Sequence, residues 1–96
     1  MKKFSTDETT ALARRLPQWH LRDDGLALTR QFEFGDFAQA FAFMTHMALH
    51  SERLNHHPDW SNVYNRVSVT LSTHDAQGLT HLDEAWAMAA DAYGAD

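Results

Sequence analysis

From Phe37 to Ser51 the chain carries no Asp, Glu, Lys or Arg. Within that run Phe37, Phe41, Met44 and Ala48 fall on one stripe at helical spacing, and Ala40, Phe43, Met47 and then Leu54 widen it past a single face. Asp36 stands where an N-cap would. The spacing predicts a helix from Phe37 to about Leu54. In a chain of 96 residues, which sets one domain over 1–96, so long an apolar helix must be covered. One face should lie on a sheet. The excess width calls for a second partner, which another subunit would supply.

The flanks provide the sheet. Trp19-His20-Leu21-Arg22 alternates apolar and polar, and Asp23-Asp24-Gly25 reads as a turn. Leu26, Leu28, Phe32 and Phe34 then recur at even spacing, with Arg30 breaking the row, so the segment reads as a hairpin. Beyond the long helix, Pro58 closes an irregular loop. Trp60 to Val63 reads as a short strand, and Tyr64-Asn65 as a tight connection. Val67, Val69 and Leu71 then alternate with Arg66, Ser68, Thr70 and Ser72. A helix from Thr6 to Leu16, opened by the capping box Ser5-x-x-Glu8 and stopped by Pro17, precedes the first hairpin. Its stripe is only Leu12 and Leu16, which suits a peripheral position. Asp75 to Gly78 reads as a loop. A last helix starts at Thr80, with Asp83 three residues on, carries Leu79, Leu82, Trp86, Ala89 and Tyr93 on one stripe, and closes at Gly94. The order α-β-β-α-β-β-α predicts an α+β fold, a four-stranded antiparallel sheet with three helices on one face.

Composition removes several functions. No cysteine means no disulfide framework, iron–sulfur site or thiol chemistry. A net charge of -5 with no basic run argues against nucleic acid as a partner. No window approaches the ~18 apolar residues of a membrane span. Lys2-Lys3 has no apolar stretch behind it, so a signal peptide is not expected and a cytoplasmic location is.

The chemistry-bearing residues are histidines. His56 and His57 immediately precede the third strand and His74 follows the fourth. If those strands pair as a hairpin, all three gather at one end of the sheet. Asp83 at the start of the last helix and Glu52 at the end of the long one could reach the same place. Histidines near neutrality can move protons or bind metal. Taken alone, a His-His pair also suits a solvated turn, Trp60 suits a core, and Asp83 suits a helix start. His46 and His50 have a metal-binding spacing, but no Glu follows His46 as a zincin helix requires, and no metal is expected. His20 and His81 read as surface residues.

Glu52, three residues, His56-His57-Pro58, five residues, Tyr64, nine residues, His74, eight residues, Asp83: this pattern resembles the pterin-4a-carbinolamine dehydratase family. The runs Asn62-Val63-Tyr64-Asn65-Arg66-Val67 and Thr70-Leu71-Ser72-Thr73-His74 resemble it too. The resemblance implies an enzyme that dehydrates 4a-hydroxytetrahydropterin to quinonoid dihydropterin and water. That step recycles the pterin cofactor of aromatic amino acid hydroxylation. The resemblance implies no cofactor beyond the substrate pterin itself. It implies dimers formed by joining sheets, in some members tetramers formed through the long helix 37–54, and an aromatic amino acid hydroxylase as a partner.

It also implies that His56, His57 and His74 are catalytic, with Glu52, Asn55, Trp60 and Asp83 binding substrate or supporting the histidines. Asn55 departs from the Asp that some members carry there. On the expected division of labour, His56 protonates the leaving hydroxyl, His74 serves as acid or base across the ring, and His57 positions the pterin. Glu52 and Asp83 orient imidazoles, and Trp60 walls the pocket. The competing reading is a non-catalytic stabiliser of another protein that acts through the apolar long helix.

Overall fold

A computed structural model describes residues 1–94, so the last two residues of the expected 1–96 domain lie outside the described residues. Its elements are α1 (Thr6–Arg15), β1 (His20–Leu21), β2 (Leu28–Glu33), α2 (Phe37–Leu54), β3 (Asp59–Val63), β4 (Arg66–Leu71) and α3 (His81–Tyr93). The predicted order and fold class hold. The four strands form one antiparallel sheet in the order β1-β2-β4-β3. The two hairpins are therefore joined through their second strands, with Leu28 opposite Leu71 and Phe32 opposite Val67.

Strand alternation decides which face meets the helices. Leu28 and Phe32 of β2 and Val67, Val69 and Leu71 of β4 are buried together with Ala40, Phe43 and Met47 of α2 and Trp86, Ala87 and Ala90 of α3. Arg66 and Ser68, on the other face of β4, are exposed. Arg30 interrupts the buried row of β2 but is not left without a partner. It forms an ion pair with Asp91 of α3, which also accepts from the Trp19 indole N–H at 2.8 Å.

Several local expectations shift. Of the two apolar stripes on α2, the one on the sheet is Ala40-Phe43-Met47, continued by Ser51. Phe37 and Phe41 stand outward, 47% and 56% exposed, and Leu49 joins them at 59%. Leu12 and Leu16 reach the core, so α1 is anchored there rather than merely peripheral. β1 shrinks to two residues, because Trp19 leaves the strand to pack edge-on against Phe32 and Trp86. Leu26 falls outside β2: the Asp24 carboxylate accepts from its backbone N–H at 2.9 Å and extends the turn around Gly25, whose φ is 73°. In the β3–β4 connection Tyr64 takes the positive φ. The Asn62 amide braces it by donating to the Tyr64 and Arg66 carbonyls. A short 3-10 turn, His74–Ala76, replaces part of the expected loop before α3.

Candidate active site

The end of α2 delivers the histidine pair. Asn55 adopts the left-handed conformation, φ 51° and ψ 44°, and the His56 N–H reaches back to the Ser51 carbonyl at 3.0 Å. That geometry ends the helix and reverses the chain toward β3. Asn tolerates it better than most residues, so Asn55 has a conformational reason to be there whatever else it does. We expect Asn55→Ala to cost roughly 1–2 kcal/mol in urea denaturation, while Asn55→Gly stays near the wild type. Equal losses in both variants would place the effect in the amide side chain instead.

Beneath the turn lies a closed polar network. His56 is 8% exposed and Asp83 0%. His56 Nε2 lies 2.6 Å from Asp83 Oδ1. Asp83 Oδ2 accepts from the Thr73 hydroxyl at 2.8 Å and from the Thr80 backbone N–H at 2.9 Å. Thr73 and Thr80 hydroxyls are 2.8 Å apart. Among the described residues no buried side-chain N or O lacks a partner. Asp83 is thus both the third residue of the α3 capping box and the anchor of His56. An ionised carboxylate only accepts, so its contact requires the proton of His56 to sit on Nε2. That leaves Nδ1 as the ring nitrogen able to exchange a proton with a ligand.

His57 sits on the other side of the chain, exposed, with Nε2 2.5 Å from Glu52 Oε2. It lines two adjoining clefts together with Ser72, Thr73 and His74. The larger, of about 520 Å³, is also bounded by His56, Asn55, Leu54 and Leu82. The smaller, of about 310 Å³, continues toward Asp59, Thr70, Arg22 and Leu26. All three histidines therefore border the larger cleft, and His57 and His74 border both. Glu52 and Asp83 stand behind two of them.

Trp60 packs against the core. It lines neither cleft, and its ring meets Trp86 edge-on at 5.9 Å on the core side. Its place in the β3 alternation explains this, because Trp60 shares the inward side with its partner Val69. Sequence reasoning passed over Thr73 and Thr80 as functional groups. The signal was there: Thr80 caps a helix whose third residue is Asp83, and that carboxylate has a second oxygen to satisfy. It also passed over Ser51, whose hydroxyl accepts from the buried Trp86 indole at 2.8 Å and ties α2 to α3 beside the site. Ser51 had no distinguishing sequence mark.

The other histidine pair, one turn apart on α2, has other neighbours. His46 stacks on Tyr93, and the Arg53 guanidinium lies 3.4 Å from His50 Nδ1. Partial burial, Arg53 and His46 together hold the His50 pKa below its usual value. Among the described residues no three His, Cys, Asp or Glu are arranged to hold a metal ion. No helix among them is long and apolar enough to cross a membrane.

The chain is thus a small α+β protein with carboxylate-backed histidines around an open cleft. The family model described as pterin 4 alpha carbinolamine dehydratase matches residues 2–93, and the chain belongs to that family. A relative from Novosphingobium aromaticivorans, provisionally named a pterin-4-alpha-carbinolamine dehydratase, is 55% identical over 95% of each chain. The crystal structure of a transcriptional coactivator/pterin dehydratase from Brucella melitensis superposes with a TM-score of 0.93 at 43% identity. It covers 97% of this chain and 99% of that one. A pterin dehydratase-like protein identified as a RuBisCO assembly factor in the alpha-carboxysome is more distant, with a TM-score of 0.69 at 27% identity. That match covers 80% of this chain and 89% of the other.

Proposed function

We propose that the protein dehydrates 4a-hydroxytetrahydropterin to quinonoid dihydropterin and water by histidine general acid–base catalysis. The observation that carries the reading is the larger cleft, bordered by His56, His57 and His74, with His56 locked on buried Asp83. The reaction needs two proton movements and no redox change. The C4a–O bond breaks as the N5 lone pair forms a C4a=N5 double bond. One proton must reach the departing oxygen and one must leave N5. Groups that titrate near neutrality serve both, each worth about 10²–10⁴-fold.

In this reading His56 acts as the imidazolium: its Nε2 proton stays on Asp83 while its Nδ1 proton goes to the departing hydroxyl, leaving the neutral ring with Nε2–H. His74, which lines the same depression from the far end of β4, takes the proton from N5. His57, fixed by Glu52, orients the pterin. The pterin is substrate, and no further cofactor is required. The role is recycling of a pterin cofactor after aromatic amino acid hydroxylation, in the cytoplasm, with a hydroxylase as functional partner. Copies associate by sheet edges into dimers and through helix 37–54 into tetramers, which would cover the outward Phe37, Phe41 and Leu49.

The test supplies a 4a-hydroxypterin generated by a hydroxylase and follows quinonoid formation. Wild-type protein should accelerate it, and His56→Ala and His74→Ala should each slow it more than about tenfold. A wild-type rate no faster than the uncatalysed dehydration sinks the enzyme reading.

A second reading has its own observation, the outward apolar face of α2. A protein that stabilises or activates a partner through that face needs no histidine chemistry. Two structural relatives carry coactivator or assembly-factor descriptions. Stabilisation of a hydroxylase that survives substitution of all three histidines would favour it.

A further inference from the structure

We infer that Asp59 receives the 2-amino and N3–H edge of the pterin, and so fixes which way the ring lies between the histidines. The inference rests on the pterin reading above and adds the residue that orients the substrate. Its starting point is the difference between the two lobes of the depression. They share His57, Ser72, Thr73 and His74, and diverge beyond them. The larger lobe runs to His56, Leu54 and Leu82. The smaller runs to Asp59, Thr70 and Gln77, with Arg22 and Leu26 at its side.

The bicyclic substrate is just as asymmetric. Its reacting carbon lies at the ring fusion. On one side is the pyrazine ring, with N5 and two saturated carbons. On the other is the pyrimidine, whose 2-amino group and N3–H are two donors side by side. With the ring fusion over the shared residues, the saturated carbons match Leu54 and Leu82, and C4a stays beside His56. The donor edge then enters the smaller lobe. Paired donors are best met by a carboxylate, which accepts two parallel bonds.

The carboxylates around the site can be sorted by what already occupies them. Asp83 is spent on His56, Thr73 and Thr80. Glu52 is spent on His57. Asp24 is held by Arg22 through both oxygens, and the same contact occupies the guanidinium of Arg22 in the cleft wall. Asp75 belongs to the lobe of Leu54 and Leu82. Asp59 lines the smaller lobe, opposite Thr70 in the strand register, and has no ion-pair or hydrogen-bond partner through its carboxylate among the described residues. It is exposed at the start of an edge strand, so its replacement does not disturb the core.

The test compares two fluorescent ring ligands by equilibrium titration: a 2-amino-4-oxo pteridine and its 2,4-dioxo counterpart, which lacks the amino donors. Wild-type protein should prefer the 2-amino ligand by about tenfold or more, as a charged acceptor paired with two donors would. Asp59→Asn should bring the two affinities within about threefold and raise KM for the carbinolamine more than it lowers kcat. Asp75→Asn should leave the preference intact. Equal weakening of both ligands in Asp59→Asn, or loss of the preference in Asp75→Asn instead, overturns the assignment while leaving the proposed activity standing. Wild-type protein that binds neither ligand and does not accelerate dehydration overturns both.

Discussion

Asp83→Ala will cost the fold about 3–5 kcal/mol, because each buried donor left without an acceptor costs about 1–3 kcal/mol. Three groups lose their acceptor together: His56 Nε2, the Thr73 hydroxyl and the Thr80 backbone N–H. The Thr73 hydroxyl can turn to Thr80 Oγ1, 2.8 Å away, but among the described residues no other hydrogen-bond acceptor meets His56 Nε2 or the Thr80 N–H. For a domain whose total stability falls in the range of ~5–15 kcal/mol, that loss is a large fraction. Asp83→Asn separates the structural part from the chemical part. Its amide oxygen still accepts from Thr80 and Thr73, so urea denaturation should show most of the stability retained. Its NH₂ donates to His56 Nε2, which then carries no proton, so the imidazolium from which Nδ1 donates is no longer supported. Dehydration should then fall about 10–100-fold, as when partners that orient a functional histidine are removed. An Asp83→Asn variant with wild-type rate would mean that His56 does not act through Nδ1.

The second large effect is expected at Trp86. Its ring is fully buried, meets Trp19 and Trp60 edge-on at 6.4 Å and 5.9 Å, and donates its N–H to Ser51. Trp86→Ala should cost about 3–5 kcal/mol by urea denaturation, from lost burial and the cavity left behind. The position matters as much as the area. Trp86 is three residues beyond Asp83, and Ser51 is five before His56. Their contact is the pin that sets the start of α3 against the end of α2. Trp86→Phe keeps most of the ring and loses only the Ser51 bond, so it should cost less than half as much. A Phe variant as damaged as Ala would locate the effect in the hydrogen bond rather than in packing.

Periodicity made the fold legible. Even spacing in Val67, Val69 and Leu71 and the capping box at Thr80 carry enough information to place β4 and α3 without a structure. The uncharged run of α2 marked a helix but not its orientation, because both of its apolar stripes satisfy the same pattern. Only the positions of the sheet and of Trp86 choose Ala40-Phe43-Met47 as the inner one. At the site, the gathering of His56, His57 and His74 followed from hairpin geometry. The second duty of Asp83 was within reach of the same geometry, but a helix-start acid explains the residue equally well, and only the folded chain pairs it with His56. Trp60 shows the converse. An aromatic next to a histidine pair invites a role in the pocket, and strand alternation turns it into the core instead. Gly25 fits its turn as read, but the extension of that turn to Leu26 depends on the Asp24 side chain, a contact no spacing rule reports.

His56 is buried on Asp83 while its neighbour His57 is exposed beside Glu52, with Asp59 beyond it on the cleft side. A chain entering a strand has only two sides to offer, and consecutive residues take opposite ones. The pair is thus a count as much as a composition. Inserting one residue between His57 and Asp59 would keep every side chain in the protein, yet, counted back from β3, it would send His57 to the buried carboxylate. The segment has no tolerance for a change of length, whereas an added residue in the turn around Gly25 would leave this accounting untouched.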